Sequence, residues 1–96
     1  MLIFVTLINF LQLTSSNLSS RIIVDRDLIN NVKLELIDLS KNYHYFTVVD
    51  KNGYFDFSDL DVGGNYELTV KTVGETKHIK VGQLRLGNNE IKQITF

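Results

Sequence analysis

"DKNGYFDFSDLDVGGNYELTV" (50–70) decides how this chain is read. It holds four aspartates, an Asn-Gly pair, two adjacent glycines and alternating aromatics. Such a stretch either holds a cation or turns the chain. A helix–loop–helix calcium loop needs acids at its positions 1, 3 and 5, glycine at 6 and glutamate at 12. Counted from Asp50, the glycine falls at position 4 and position 12 is Asp61 instead of glutamate, so the pattern fails. Turn chemistry fits better. Asn52 and Gly53 are the two residue types that best tolerate φ > 0, which joins antiparallel strands with the proper twist. "TVVDKNGYFDF" (47–57) therefore predicts a hairpin, out along 46–49 and back along 54–57. Asp56, Asp59 and Asp61 read as solvated acids. Leu60, alone between two aspartates, is expected to plug the end of the core. Gly63 and Gly64 let the chain reverse, and Tyr66 opens the next strand with Leu68 and Val70 on its own face. A tyrosine at such a corner buries its ring and sends its hydroxyl to a nearby backbone group.

Working outward, the dominant period is two. "RIIV" (21–24), "VKLELIDL" (32–39), "YHYFTVV" (43–49), "YFDF" (54–57), "YELTV" (66–70), "HIKV" (78–81), "QLRL" (83–86) and "EIKQITF" (90–96) are short runs rich in β-branched and aromatic residues. Asn, Asp, Gly and Ser punctuate them, as at Gly87-Asn88-Asn89. Beyond the leader no long stretch carries an apolar helical period. The expected fold is all-β: one antiparallel β-sandwich of about seven strands, prealbumin-like or immunoglobulin-like, over 21–96.

The 96 residues suit one small domain. Hydrophobic residues make up 44% and charged residues 22%, a globular balance. A formal net charge of −1 gives no electrostatic footprint for nucleic acid. Acids gather in 50–67, five against one lysine, and bases in 68–96, five against two acids. With no cysteine, the domain depends on its apolar core and hydrogen bonds.

The first sixteen residues, "MLIFVTLINFLQLTSS", carry no charge and are largely Leu, Ile, Phe and Val. The apolar run is shorter than the roughly 20 residues that span a bilayer. It has the length of a signal-peptide core and ends in small residues suited to a cut after Ser16. Residues 1–16 are therefore expected to be a signal peptide and 17–20 a short N-terminal arm. Asn17-Leu18-Ser19 is the one N-x-S sequon and makes Asn17 a weak glycosylation candidate.

The pattern of 48–70 resembles the core signature of prealbumin-like, carboxypeptidase-regulatory-like β-sandwich modules. Those show a threonine or aspartate, a glycine turn, an aromatic-x-aromatic strand, a loop with proline and glycine, then tyrosine-x-leucine-x-valine. Asp50, Gly53, Phe55, Phe57, Leu60, Gly64, Tyr66, Leu68 and Val70 fill those places, and Asp61 stands where the proline is expected. Within the group the layout is most similar to the lumenal-domain family of subunit 7 of the endoplasmic-reticulum membrane protein complex. The resemblance covers 21–96. It implies a non-catalytic scaffold in the endoplasmic-reticulum lumen that contacts other subunits and takes part in inserting transmembrane segments. The family continues into a transmembrane helix and this sequence ends at Phe96, so peripheral attachment through partners is expected. The C-terminal run is the candidate interaction edge, with Ile91 and Ile94 as apolar contacts and Lys92 guarding against indiscriminate pairing.

Chemistry-bearing constellations are lacking in the sequence. His44 lies beside tyrosines and His78 among lysines, and neither stands in a zinc spacing or a Ser-His-Asp order. No catalytic residue, cofactor or metal is expected. The alternative to the scaffold is a secreted or cell-surface module, either structural or binding carbohydrate through tyrosines such as Tyr43, Tyr45 and Tyr54.

Overall fold

The computed structural model describes residues 15–96. They form an all-β unit of eight strands: β1 (Ser16–Ile23), β2 (Lys33–Asp38), β3 (Tyr43–Thr47), β4 (Tyr54–Leu60), β5 (Tyr66–Thr72), β6 (Glu75–Gly82), β7 (Gly87–Glu90) and β8 (Ile94–Thr95). A short 3-10 helix, Arg26–Asn31, joins β1 to β2. Among the described residues no helix is long and apolar enough to cross a membrane. The expected signal peptide, up to residue 14, lies outside the described residues.

Two sheets share one core. The first has the order β4-β1-β7, with β8 also paired to β1; the second has the order β3-β2-β5-β6. Alternation places one set of side chains between them. Leu18 and Ile22 come from β1, Leu34 and Leu36 from β2, Phe55, Phe57 and Leu60 from β4, and Tyr66, Leu68 and Val70 from β5; all are buried. Removing such side chains from water stabilises the fold by about 1.5–3 kcal/mol each. A bulge in β4 settles which residue ends its inward row. Ser16 pairs with Leu60 and Leu18 with Phe57, so β4 uses three steps against two on β1. Asp59 takes up the extra residue at φ 58, and Leu60 instead of Asp59 faces the core.

The corner after β4 follows the sequence expectation closely. The ring of Tyr66 is fully buried, and its hydroxyl donates to the carbonyl of Asp61 at 2.8 Å. Gly64 packs so tightly here that a Cβ would lie 2.7 Å from both Asp38 Oδ2 and the Tyr66 ring. The Asp38 carboxylate is itself buried. Its Oδ1 accepts the N–H of Ser40 at 3.0 Å and of Asn65 at 3.4 Å, tying the end of β2 to the corner. The ion pair between Lys41 and Asp61 closes the same region from outside.

Four expectations need correction. First, residues 17–20 are not an arm. They belong to β1, and Leu18 and Ser20 are buried because β1 lies between β4 and β7. Ser16, counted in the leader, already pairs in that strand, and its hydroxyl donates to the Arg85 carbonyl at 2.6 Å. Second, 47–57 is not a hairpin between sheet neighbours. A turn does form, but it is centred on Lys51 and Asn52, and of the Asn-Gly pair only Gly53 has φ > 0: Gly53 N–H donates to the Asp50 carbonyl at 3.0 Å, and Asp50 Oδ1 accepts the N–H groups of Asn52 and Tyr54. Its flanks separate, however. β3 pairs with β2 and β4 with β1, so this turn carries the chain from one sheet to the other.

Third, the strand expected at 83–86 is a crossover, and the break expected at 87–89 is strand β7. Leaving β6, the chain must change sheets, and a segment in transit cannot keep a ladder. Only Leu84 of that run reaches the core. Asn89 supplies the missing bonds through its amide, accepting from Arg85 N–H and donating toward the carbonyls of Arg85 and Asn17. Fourth, the sheets are not wholly antiparallel, because β7 and β8 run parallel to β1. The two are nearly one strand, interrupted at 91–93, where Ser20 Oγ lies 2.9 and 3.0 Å from the carbonyls of Ile91 and Lys92.

Candidate docking edge and groove

An open sheet exposes unpaired N–H and C=O groups at its edge strands, and natural sheets blunt them with charge, bulges or short length. Among the described residues the two sheets have four edges, and three of them are blunted. β6 carries Glu75, Lys77 and Lys80. β4 has its bulge and the acids Asp56 and Asp59, and Asp50 already donates its N–H to the Tyr54 carbonyl. β7 and β8 are short and broken between. β3 has none of these devices. Residues 43–49, "YHYFTVV", hold no Lys, Arg, Asp, Glu, Pro or Gly. Along this edge Tyr43 is exposed, Phe46 is 72% exposed and Val48 79% exposed.

The register explains what borders β3. On the outer face of its sheet, Phe46 stands opposite Glu35 and Glu35 opposite Thr69, with His78 beyond; Lys33 stands directly opposite Lys71. A groove of about 260 Å³ runs beside these residues, walled by Phe46 and Val48 on one side and by Lys33 and Lys71 on the other. Neither lysine is ion-paired among the described residues. Like charges directly opposite on neighbouring strands repel one another. The carboxylate nearest at hand, Glu35, is engaged elsewhere: its Oε2 lies 2.8 Å from Nδ1 of His44 on β3. The two histidines thus share one sheet face at opposite edges. His78 Nδ1 lies 3.2 Å from Thr69 Oγ1 and 3.9 Å from Glu67 Oε1.

A second groove, of about 460 Å³, lies around Tyr54 between the first sheet and residues 48–50 after β3, so that Val48 borders both grooves. The Arg21 guanidinium sits 5.0 Å from the centroid of the half-exposed Tyr54 ring and its Nε donates to the Asn52 carbonyl at 3.0 Å. Ser19, Asp56 and Glu90 complete its polar wall.

The sequence-predicted site residues fall in three places. Gly53, Phe55, Phe57, Leu60, Gly64 and Tyr66 come together as turn, core and corner, all buried. Asn17 lies on the outer side of β1, its carbonyl accepting from Asn89. The expected C-terminal edge is divided. Ile94 is a core residue at 7% exposure, Ile91 packs partly against the core, and Lys92 alone is exposed. Ile94 is therefore not an apolar contact for a partner; β8 pairing with β1 turns it inward. Sequence reasoning missed β3 as the open edge, although the run 43–49, without Lys, Arg, Asp or Glu, was the available signal. Among the tyrosines, Tyr43 and Tyr54 are exposed, while Tyr45 packs against the core, its ring 6.4 Å from that of Tyr66.

No protein-family model matches the chain, and no curated protein matches it.

Proposed function

We propose that this chain is a non-catalytic β-sandwich binding domain of the prealbumin-like type. On this reading it acts in the endoplasmic-reticulum lumen as a scaffold subunit of a membrane protein complex of the subunit 7 kind, assisting the insertion of transmembrane proteins. The observation that carries a contact function is the edge β3, unpaired on its outer side among the described residues, with Phe46 exposed on it and Val48 exposed just past its end. The tyrosine hydroxyl and Gly64 form the corner expected from the residues of 50–70, and the family side of the reading rests on the resemblance of that stretch.

Affinity purification of the natively expressed chain from membranes, with identification of what co-purifies, tests the proposal. Recovery of a membrane protein complex is expected, and its absence overturns the scaffold reading. The Tyr54 groove favours the second reading, a secreted or cell-surface carbohydrate-binding module: a half-exposed aromatic ring is bordered by Arg21, Asp56 and Glu90. A glycan array that lights up with the wild type and falls silent with Tyr54→Ala is the outcome that moves the function to that groove.

A further inference from the structure

We infer that β3 and the groove beside it take up an extended peptide strand in which an acidic residue alternates with a large apolar one. The inference deepens the scaffold reading and rests on it for the source of the partner. Three observations meet at this place. Among the described residues no strand pairs with the outer edge of β3, over a run without Lys, Arg, Asp or Glu. The groove offers an apolar wall, Phe46 and Val48, that needs covering. Its far wall holds Lys33 directly opposite Lys71, two like charges that form no ion pair among the described residues.

A strand added to β3 makes main-chain hydrogen bonds without regard to sequence, and its next-but-one side chains fall on the same sheet face. On the outer face one such side chain lies against Phe46 and Val48. The next extends over them toward the ammonium groups of Lys33 and Lys71. Charge decides what that side chain is. An acid there faces the nearer lysine, Lys33, and offsets the local excess of positive charge, whereas a lysine or arginine adds to it. Glu35, the carboxylate lining the same groove, does not serve because His44 holds it. A second copy of this chain fits less well. Its own β3 is as uncharged as the first and brings no acid to the lysine pair.

The test pans the full chain against displayed random short peptides, then titrates the enriched peptides into the labelled protein by NMR. Enrichment of an acid next-but-one to an aromatic or aliphatic residue is expected, with shifts at the amides of Phe46, Thr47 and Val48. The double variant Lys33→Glu, Lys71→Glu should lose roughly tenfold or more in affinity for these peptides. It should gain affinity for the same peptides with lysine in place of the acid, a swap that a merely structural role of the lysines does not produce. The inference is overturned by no enrichment, enrichment of basic peptides, shifts that map to another face, or affinity indifferent to the charge swap. A dimer in sedimentation that Phe46→Asp dissociates assigns the edge to a second copy and overturns it too. So does binding to anionic phosphatidylserine vesicles that needs both lysines while no peptide binds. Failure of the broader reading looks different: native membranes then yield no complex even though the peptides bind. If the complex is recovered equally by wild type and double variant, the scaffold reading stands and the groove inference falls.

Discussion

The carbonyl oxygen of Ile22 lies 2.1 Å from where a Cβ would sit at position 53, and the Ile22 N–H donates to the Gly53 carbonyl at 2.8 Å. β1 and the Asp50–Tyr54 turn are thus docked backbone to backbone, with no room for any side chain at the contact. Gly53 also has φ 88, a region that other residues adopt only under strain.

Gly53→Val is therefore expected to unfold the domain, and Gly53→Ala to destabilise it severely. The backbone strain alone is worth about 1–3 kcal/mol, and the contact with Ile22 adds to it. Asp56→Asn and Asp59→Asn should stay within about 0.5 kcal/mol of wild type, because both side chains are exposed and asparagine tolerates the positive φ at position 59. Thermal melts of the four variants check the contrast.

The paired glycines of the corner should behave differently from one another. A Cβ at Gly64 lies 2.7 Å from Asp38 Oδ2 and the Tyr66 ring, while one at Gly63 meets nothing within 4 Å. Gly64→Ala is expected to cost about 1–3 kcal/mol, as overpacking of a filled site does. Gly63→Ala should be close to neutral. Urea unfolding midpoints of the two variants decide it.

Alkaline pH should weaken the fold through Tyr66. Burial, with the neighbouring Tyr45 and Asp38 adding to it, pushes its hydroxyl from 10.0 up to about 12. Above pH 10 the unfolded chain gives up this proton while the folded chain keeps it. The stabilisation is thus whole below about pH 10 and drains away as pH rises toward 12. At most on the order of 2 kcal/mol is at stake. Tyr66→Phe starts lower by about 1 kcal/mol, having lost the bond to Asp61. It should then lose less between pH 9 and pH 12, roughly the window of the tyrosine titration. Denaturant titrations at several pH values read both effects.

Ile94 and Phe46 make a third contrast. Ile94→Ala should cost about 2–5 kcal/mol as a core truncation, and Ile94→Lys should not fold, since its ammonium would be buried among apolar side chains. Phe46→Ala, on an exposed edge, should fall within about 0.5 kcal/mol of wild type. Circular dichroism melts separate the two positions, and Phe46→Ala is then the variant suited to interaction assays.

The sequence by itself determined the all-β character, most strand positions, the positive φ at Gly53, the inward Leu60 and the buried tyrosine of the corner. These depend on chemistry within a few residues: a period of two, a turn residue, a ring beside two glycines. Only the tertiary structure decided which strands are neighbours. The Asp50–Tyr54 turn serves a hairpin or a step between sheets equally well, and nothing local distinguishes them. "GNNE" becomes a strand because β1 offers it partners and Asn89 bridges the crossover, and "QLRL" fails to be one because it is in transit. The same holds for the candidate site. The bare edge at β3, the meeting of Lys33 with Lys71 across strands of distant sequence, and the inward turn of Ile94 follow from sheet order and register. Those are settled by long-range pairing of the whole core, not by any one stretch of the chain.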